Sequence, residues 1–447
     1  MPRHAVLFAI FLVSALLTVL GCDDRGTGVP VTSYESWGVW PTSDHSFDRD
    51  LALQLNNDGE LWTGSTYIPS IAMPPPTGQS KPVPVLILLP PQNGDQLYFL
   101  RAGLLELAQE MIEAGEIVPM VIHCPANASA FGGFFYGNSM PAGRADSIIG
   151  DRMITEYLAT RIPAIIETLR CKRGIGGVGM GGYGALRAAM KHPDMFGSIT
   201  VSDGPLDFDG ADGNSGLMDL FDDALAEQLN IADYSKLDTS IVGIDTTIAP
   251  IDTFTYRKFD SGRGLVTLPL SRLFIGGSLA FSPHDTLVDW VYNYQGNYTI
   301  NQRFSITDSS TLIDRLVGKI EDPQSKWDFH LPFDSLGQVA DSIWPLWMTN
   351  NLDSIYAQMS TVVGYGPLDS INIWIGRNVG MTDGIPDAKW NYYEMTESWV
   401  NTLTQVHGLN VNVYDYSSLD AEPVRDDEYA YDLLRQMLLF HSKCFEK

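Results

Sequence analysis

The segment Lys172-Arg173-Gly174-Ile175-Gly176-Gly177-Val178-Gly179-Met180-Gly181-Gly182-Tyr183-Gly184-Ala185-Leu186-Arg187 is where this chain comes closest to covalent chemistry. An apolar strand, a glycine-rich turn and a helix opening on small residues have the form of a nucleophile elbow, G-x-S-x-G, which thrusts a serine out at its apex for attack on a carbonyl. Small residues on either side let the helix lie close against the strand and let the turn take unusual dihedrals. Here the five positions read Gly177-Val178-Gly179-Met180-Gly181. Glycine stands at the apex, and a residue without a side chain cannot attack a carbonyl.

The elements that would position such a turn alternate along the chain. Val83 to Leu89 is a near-continuous apolar run, as in a parallel strand buried on both faces. Further strands are predicted at Val118–His123, Gly174–Val178, Ser198–Ser202, Ile371–Ile375 and Asn410–Tyr414. Between them the patterns predict helices at Leu100–Ala114, Ile148–Leu169, Gly181–Met190, around Tyr392–His407 and around Tyr429–His441. Strand–helix alternation implies right-handed βαβ units and a mostly parallel sheet with helices on both faces, an α/β fold. Trp37 to Ile71 reads as short strands with an Asn57-Asp58-Gly59 turn, and Pro74-Pro75-Pro76-Thr77-Gly78 as a surface loop. Residues 207–345 break the alternation with many Asp, Trp and Tyr and are read as an inserted cap. The organisation expected is a leader over 1–21, a tether over 22–36, the two parts of the α/β domain over 37–206 and 346–447, and the cap between them.

With these residues in place, the chain resembles the putative-esterase family of α/β-hydrolases, which includes formylglutathione hydrolases, feruloyl esterases, enterochelin esterases and mycolyltransferases. Members read G-x-S-M-G-G-Y-G-A at the elbow, and this chain matches except at the serine. Phe135-Tyr136-Gly137-Asn138-Ser139 with Gly143 nearby, His192-Pro193-Asp194-Met195-Phe196, and Ala280-Phe281-Ser282-Pro283 match as well. The resemblance covers residues 60–445, strongly over 80–205. It implies the α/β-hydrolase fold, with Gly179 at the nucleophile position and the Met180 N–H as one oxyanion donor between Gly177 and Gly181. The second donor is implied in the loop Pro90-Pro91-Gln92-Asn93-Gly94-Asp95, where Pro91 offers no N–H and Gln92 or Asn93 could serve. The acid is implied after the strand Ile371–Ile375, at Asp383 with Asp387 next. The base is implied in the loop Asp415–Glu428, which contains no His; His407 and His441 fall outside it. Two of three triad members are thus absent, and a triad acts as a unit.

The chain's 28 Lys+Arg against 54 Asp+Glu give a net charge of −26. So acidic a surface repels phosphate backbones, and nucleic acid is not expected as a partner. Arg3 and His4 precede an apolar run from Ala5 to Leu17, too short for a membrane span of about 20 residues and shaped like a secretory signal. Val19-Leu20-Gly21-Cys22 resembles a bacterial lipobox, which implies cleavage before Cys22 and diacylglycerol on its sulfur, hence a lipid-anchored envelope protein on the periplasmic or extracytoplasmic face. Of the remaining cysteines, Cys124 and Cys171 are expected at opposite edges of the sheet, too far apart to bridge; a Cys171–Cys444 pair is left open.

Other groupings carry less. Ser202-Asp203 ends a strand at the functional edge and reads as a plain strand-end turn, a displaced nucleophile being the alternative. Asp207-Phe208-Asp209-Gly210-Ala211-Asp212 has Ala and Asp where a cation loop needs an oxygen ligand and Gly, so a solvated acidic loop is expected and no metal or cofactor. His123 and Cys124 are strand neighbours pointing to opposite faces, which suits burial rather than a nucleophilic pair. Trp290, Tyr292, Tyr294, Tyr298, Trp327, Trp344, Trp347 and Trp374 are expected mainly in the core, with stacking on sugars or aromatic acyl groups as the alternative. Three functions follow: a hydrolase-fold protein without serine chemistry that binds an acyl, aromatic-ester or glycan ligand or a partner; an active ester hydrolase or acyltransferase with a displaced nucleophile; or a scaffold without ligand.

Overall fold

A computed structural model describes residues 34–40, 62–67, 82–125, 133–158, 167–210, 216–220, 269–282, 332, 339–379, 392–416 and 427–447, apart from 93, 95–97, 134, 140–142 and 168. The chain divides into Met1–Ser33 and Tyr34–Lys447, and all described residues belong to the second unit. The leader and Cys22, the 57–59 turn, the 74–78 loop, most of the predicted cap, Asp383, Asp387 and residues 417–426 lie outside the described residues.

Eight strands make the main sheet: β1 (Tyr34–Trp40), β2 (Trp62–Tyr67), β3 (Val85–Leu89), β4 (Val121–Pro125), β5 (Arg173–Val178), β6 (Ser198–Ser202), β7 (Asn372–Asn378) and β8 (Val411–Tyr416). Their spatial order is β1-β2-β4-β3-β5-β6-β7-β8. β1, β2 and β4 pair antiparallel; from β4 to β8 every neighbour is parallel. This is the α/β-hydrolase fold.

The apolar runs face both ways because strand side chains alternate. Val85, Ile87, Leu89, Ile175, Ile199, Val201, Ile373 and Ile375 belong to one core cluster, shared with α2 (Met180–Lys191), α4 (Leu352–Val363) and α5 (Tyr393–Asn401). Leu86, Leu88, Ile122 and Trp374 belong to the other, shared with α1 (Leu104–Glu113) and α6 (Asp427–Phe445). A further helix, α3 (Pro269–Phe281), adds Leu273 and Phe274 to the first cluster. β4 begins three residues later than predicted because the Val118 N–H goes to Ser442 Oγ on α6 (2.8 Å) and Pro119 has none to give. The predicted helix around Tyr392–His407 is α5 followed by a wider, π-type turn over Thr402–Val406, and the described part of the 148–169 helix is wound in the same wide way over Ile148–Leu158.

The glycines of β5 have separate neighbours. A Cβ on Gly177 would lie 2.2 Å from the Gly181 backbone, and one on Gly181 would lie 2.0 Å from the Leu89 carbonyl oxygen. At Gly177 and Gly181 the elbow helix therefore meets β5 and β3 backbone to backbone. On the opposite face, a Cβ on Gly174 would stand 2.5 Å from His441 Nδ1. That gap admits the His441 ring of α6, whose Nδ1 and Nε2 bond Ser198 Oγ (2.8 Å) and Thr200 Oγ1 (2.9 Å) of β6. Burial pushes the His441 imidazole down to about 3, and does the same to His123 on β4. Cys124, Cys171 and Cys444 are all free, so the Cys171–Cys444 pair left open by the sequence does not form.

Substituting Gly181→Ala forces the elbow helix off β3 and β5; equilibrium denaturation should show a loss of about 1–3 kcal/mol. The two buried histidines make a second prediction. Between pH 6.5 and about 3 the unfolded chain binds protons that the folded chain refuses, so stability rises with pH across that window. Urea melts from neutral to acid pH should show it falling by as much as ~1.4 kcal/mol per pH unit for each histidine, and His441→Gln should flatten that limb.

Candidate functional site

The elbow is built as the sequence reading expects, with its apex bare. Gly179 follows β5 and precedes α2 with φ 57° and ψ −123°, a left-handed backbone costly for any residue with a Cβ. Its N–H donates to the Ser202 carbonyl of β6 (2.9 Å), and its own carbonyl accepts from the N–H groups of Gly182 (2.9 Å) and Tyr183 (3.2 Å). The turn is thus held on both sides by backbone. A Cβ at 179 would sit 3.3 Å from Pro91 Cβ and 4.0 Å from the Tyr392 ring. The pocket for a short side chain therefore persists, walled by the turn after β3 and by the residue that opens α5.

Around this apex the motif residues converge. The Phe135 N–H meets Met180 Sδ (3.3 Å), and Tyr136 Oη donates to the Pro90 carbonyl (2.7 Å). Phe135 and Tyr136 both hold left-handed backbone, φ 51° and 50°, a strained pair clamped against the elbow. Phe135 packs edge-on to Tyr183 of α2 and tilts against Phe281 of α3, with ring centroids 5.4 and 5.1 Å apart. Phe281 meets Trp347, whose Nε1–H donates to Ser282 Oγ (3.0 Å). Trp347 and Trp374 are thus core residues, and Trp344 is half-buried; Trp290, Tyr292, Tyr294, Tyr298 and Trp327 lie outside the described residues. Further along α2, Arg187 grips Asp146 through two oxygens (2.7 and 3.1 Å) and reaches Asn350 Oδ1 (2.8 Å), while Lys191 adds a third contact to Asp146 (2.8 Å). Burial alone would raise the Asp146 carboxyl, but the two cations hold it below the ordinary range. The pair fixes the helix that carries the elbow.

The triad's other members are placed as follows. Gln92 sits in the turn after β3 and is half-buried; Asn93 lies outside the described residues. Asp383 and Asp387 lie outside them too, as does most of the loop after β8. His441 is spent on β6 from the α6 side. His407 stacks on Tyr356 (3.7 Å) just before β8, at the sheet edge opposite the elbow. His123 is buried in β4. Ser202 is fully buried, and its Oγ bonds Tyr416 Oη (2.9 Å).

What sequence reasoning missed is Asp203. By sequence, Ser202-Asp203 reads as a strand-end turn with a displaced nucleophile as the alternative, yet the Asp203 carboxylate gathers the ends of three strands. Oδ2 accepts from Tyr416 Oη of β8, Oδ1 from the Asn378 N–H of β7 (3.1 Å), and the Asp203 N–H donates to the Gly376 carbonyl (3.2 Å). Asp203 itself holds φ 40°, left-handed for a residue that is not glycine. Loss of hydration at this half-buried position raises the carboxyl to about 6, against the lowering effect of the two hydrogen bonds. The only signal in the sequence was an acid next to a serine at a strand end facing the elbow, which many strand ends share. Asp207, four residues on, is buried and accepts from Ser398 Oγ of α5 (2.8 Å), while Asp209 is exposed. The acidic loop is thus solvated only in part.

Among curated proteins none matches the chain. Solved structures overlap it at low identity. A ferulic acid esterase is 12% identical, covering 86% of this chain and 94% of its own, with a TM-score of 0.43. The S-formylglutathione hydrolase of Staphylococcus aureus is 10% identical, covering 92% and 98%, with a TM-score of 0.44. The S-formylglutathione hydrolase of Agrobacterium tumefaciens is 12% identical, covering 86% and 91%, with a TM-score of 0.36. Overlaps of this extent say nothing about activity. Residues 64–234 match the family model described as "Putative esterase". Over the segment that carries the elbow, from β2 past β6, the chain is thus similar to the putative-esterase family, set in an α/β-hydrolase fold.

Proposed function

We propose that this chain keeps the esterase fold without serine-type ester cleavage and uses the old crevice to hold an acyl, aromatic-ester or glycan ligand or a partner. The apex carries this reading: Gly179 retains the strained elbow backbone and room for a Cβ, but has no hydroxyl to present. The imidazoles support it. His441 has both nitrogens engaged behind the sheet, and Asp415–Glu428 contains no His in its sequence. The displaced-nucleophile alternative asks Ser202 to meet a substrate, and its complete burial speaks against that. The N-terminal reading belongs to the same proposal: a lipid on Cys22 tethers the protein to the bacterial envelope, on the periplasmic or extracytoplasmic face, and Cys22→Ser should abolish its partition into detergent.

Incubation with a fluorophosphonate probe should leave the protein unlabelled; stoichiometric labelling of a serine would overturn the proposal. Gly179→Ser should fold with a loss of about 1–2 kcal/mol, since an L-residue enters left-handed backbone, and should gain no activity on p-nitrophenyl acetate because the stretch expected to carry the base, Asp415–Glu428, has no His to activate it. Turnover by that variant would show that a base is within reach. Envelope glycans and acyl esters should raise the melting temperature without turnover, because a ligand that binds only the folded state stabilises it. No shift with any of them would leave the scaffold reading.

A further inference from the structure

The hydrogen bonds around Asp203 form a chain that runs in either direction. Ser202 Oγ, Tyr416 Oη and Asp203 Oδ2 follow one another, and either the serine or the tyrosine can donate in their shared bond. With Asp203 ionised, Ser202 donates to Tyr416 and Tyr416 donates to the carboxylate. With Asp203 protonated, its O–H donates to Tyr416 Oη, and the phenol turns its proton to Ser202 Oγ. One proton is gained, no heavy atom moves and every hydrogen bond in the chain is kept. The Asn378 N–H serves Oδ1 in both states.

We infer that Ser202, Tyr416 and Asp203 form a proton-reversible relay beside the elbow, setting the charge on this edge of the sheet by ambient pH. The surroundings fit. Ser202 is wholly buried and Asp203 half-buried, its two carboxylate oxygens taken up by the Tyr416 phenol and the Asn378 N–H. Among the described residues no Lys, Arg or His pairs with it. Arg377, the cation of β7, is turned to Asp415 (2.8 Å) and Glu397 (3.8 Å). The groups facing the carboxyl are the phenol of Tyr416 from β8, the phenol of Tyr392 from the start of α5, the backbone of Asn378 and Gly376 from β7, and Ser202 on its own strand. Burial holds the Tyr392 phenol well above its ordinary range, so it stays neutral throughout. A partly desolvated carboxyl with no cation beside it among the described residues titrates above a surface aspartate.

Infrared difference spectra of the full chain, taken between about pH 8 and about pH 5, test this. The wild type should show a protonated-carboxyl band that Asp203→Asn deletes; a spectrum unchanged by that substitution overturns the relay. Tyr416→Phe keeps the ring and removes the donor to the charged form. It should move the band's midpoint upward by about one pH unit or more, and an unmoved or lowered midpoint overturns the relay. Should Asp203→Asn fail to fold, Tyr416→Phe decides alone. Stability supplies an independent readout. The folded chain holds the Asp203 proton from pH 3.8 up to about 6, so this residue's share of stability declines as pH rises through that window. Subtracting the Asp203→Asn profile from the wild-type profile should leave a slope of that sign; none, or the reverse, argues against the relay.

Discussion

The structure depends on one contact: the first turn of the helix after β5 meets β5 and β3 backbone to backbone. Gly177 and Gly181 are the reason, since a Cβ on either would stand about 2 Å from main-chain atoms of its neighbour. That approach fixes where α2 begins, hence the sharp turn at residue 179 and the direction its Cα faces. Arg187 and Asp146 hold the far part of the helix, and the rings of Phe135, Tyr183 and Phe281 fill the space beside it. The elbow geometry is thus kept by packing, with no nucleophile at its apex.

Glycine at the apex removes a conformational cost. Left-handed backbone there strains a residue with a Cβ and scarcely strains glycine. Strain has not left the site. It persists at Phe135, Tyr136 and Asp203, three non-glycine residues with left-handed backbone beside the elbow. Two of them clamp the loop against Met180 and Pro90; the third draws the ends of β6, β7 and β8 together through one carboxyl.

The opposite face of the sheet explains the histidine that the sequence left unplaced. β5 offers α6 glycines instead of side chains, and His441 fills the gap by bonding Ser198 and Thr200. The polar residues of β6 alternate with Ile199 and Val201, so the strand shows hydroxyls to α6 and hydrocarbon to α2. Ser202 continues the hydroxyl row, which is why it meets Tyr416 rather than the elbow crevice.

Period and composition made much of this legible beforehand. Val85 to Leu89 and Ser198 to Ser202 read as strands because buried parallel strands need hydrocarbon on at least one face throughout, and the elbow read as a strand, turn and helix because only glycines permit so close a packing. The vacancy at 179 and the His-free stretch after β8 were likewise a matter of residue identity alone. Tertiary structure decided what depends on distance between remote segments: that Asp203 and Tyr416, 213 positions apart, share a proton-bearing contact, and that His441 turns to β6. Local patterning determines which face a side chain takes; only the closing of the sheet determines which remote side chain it meets there.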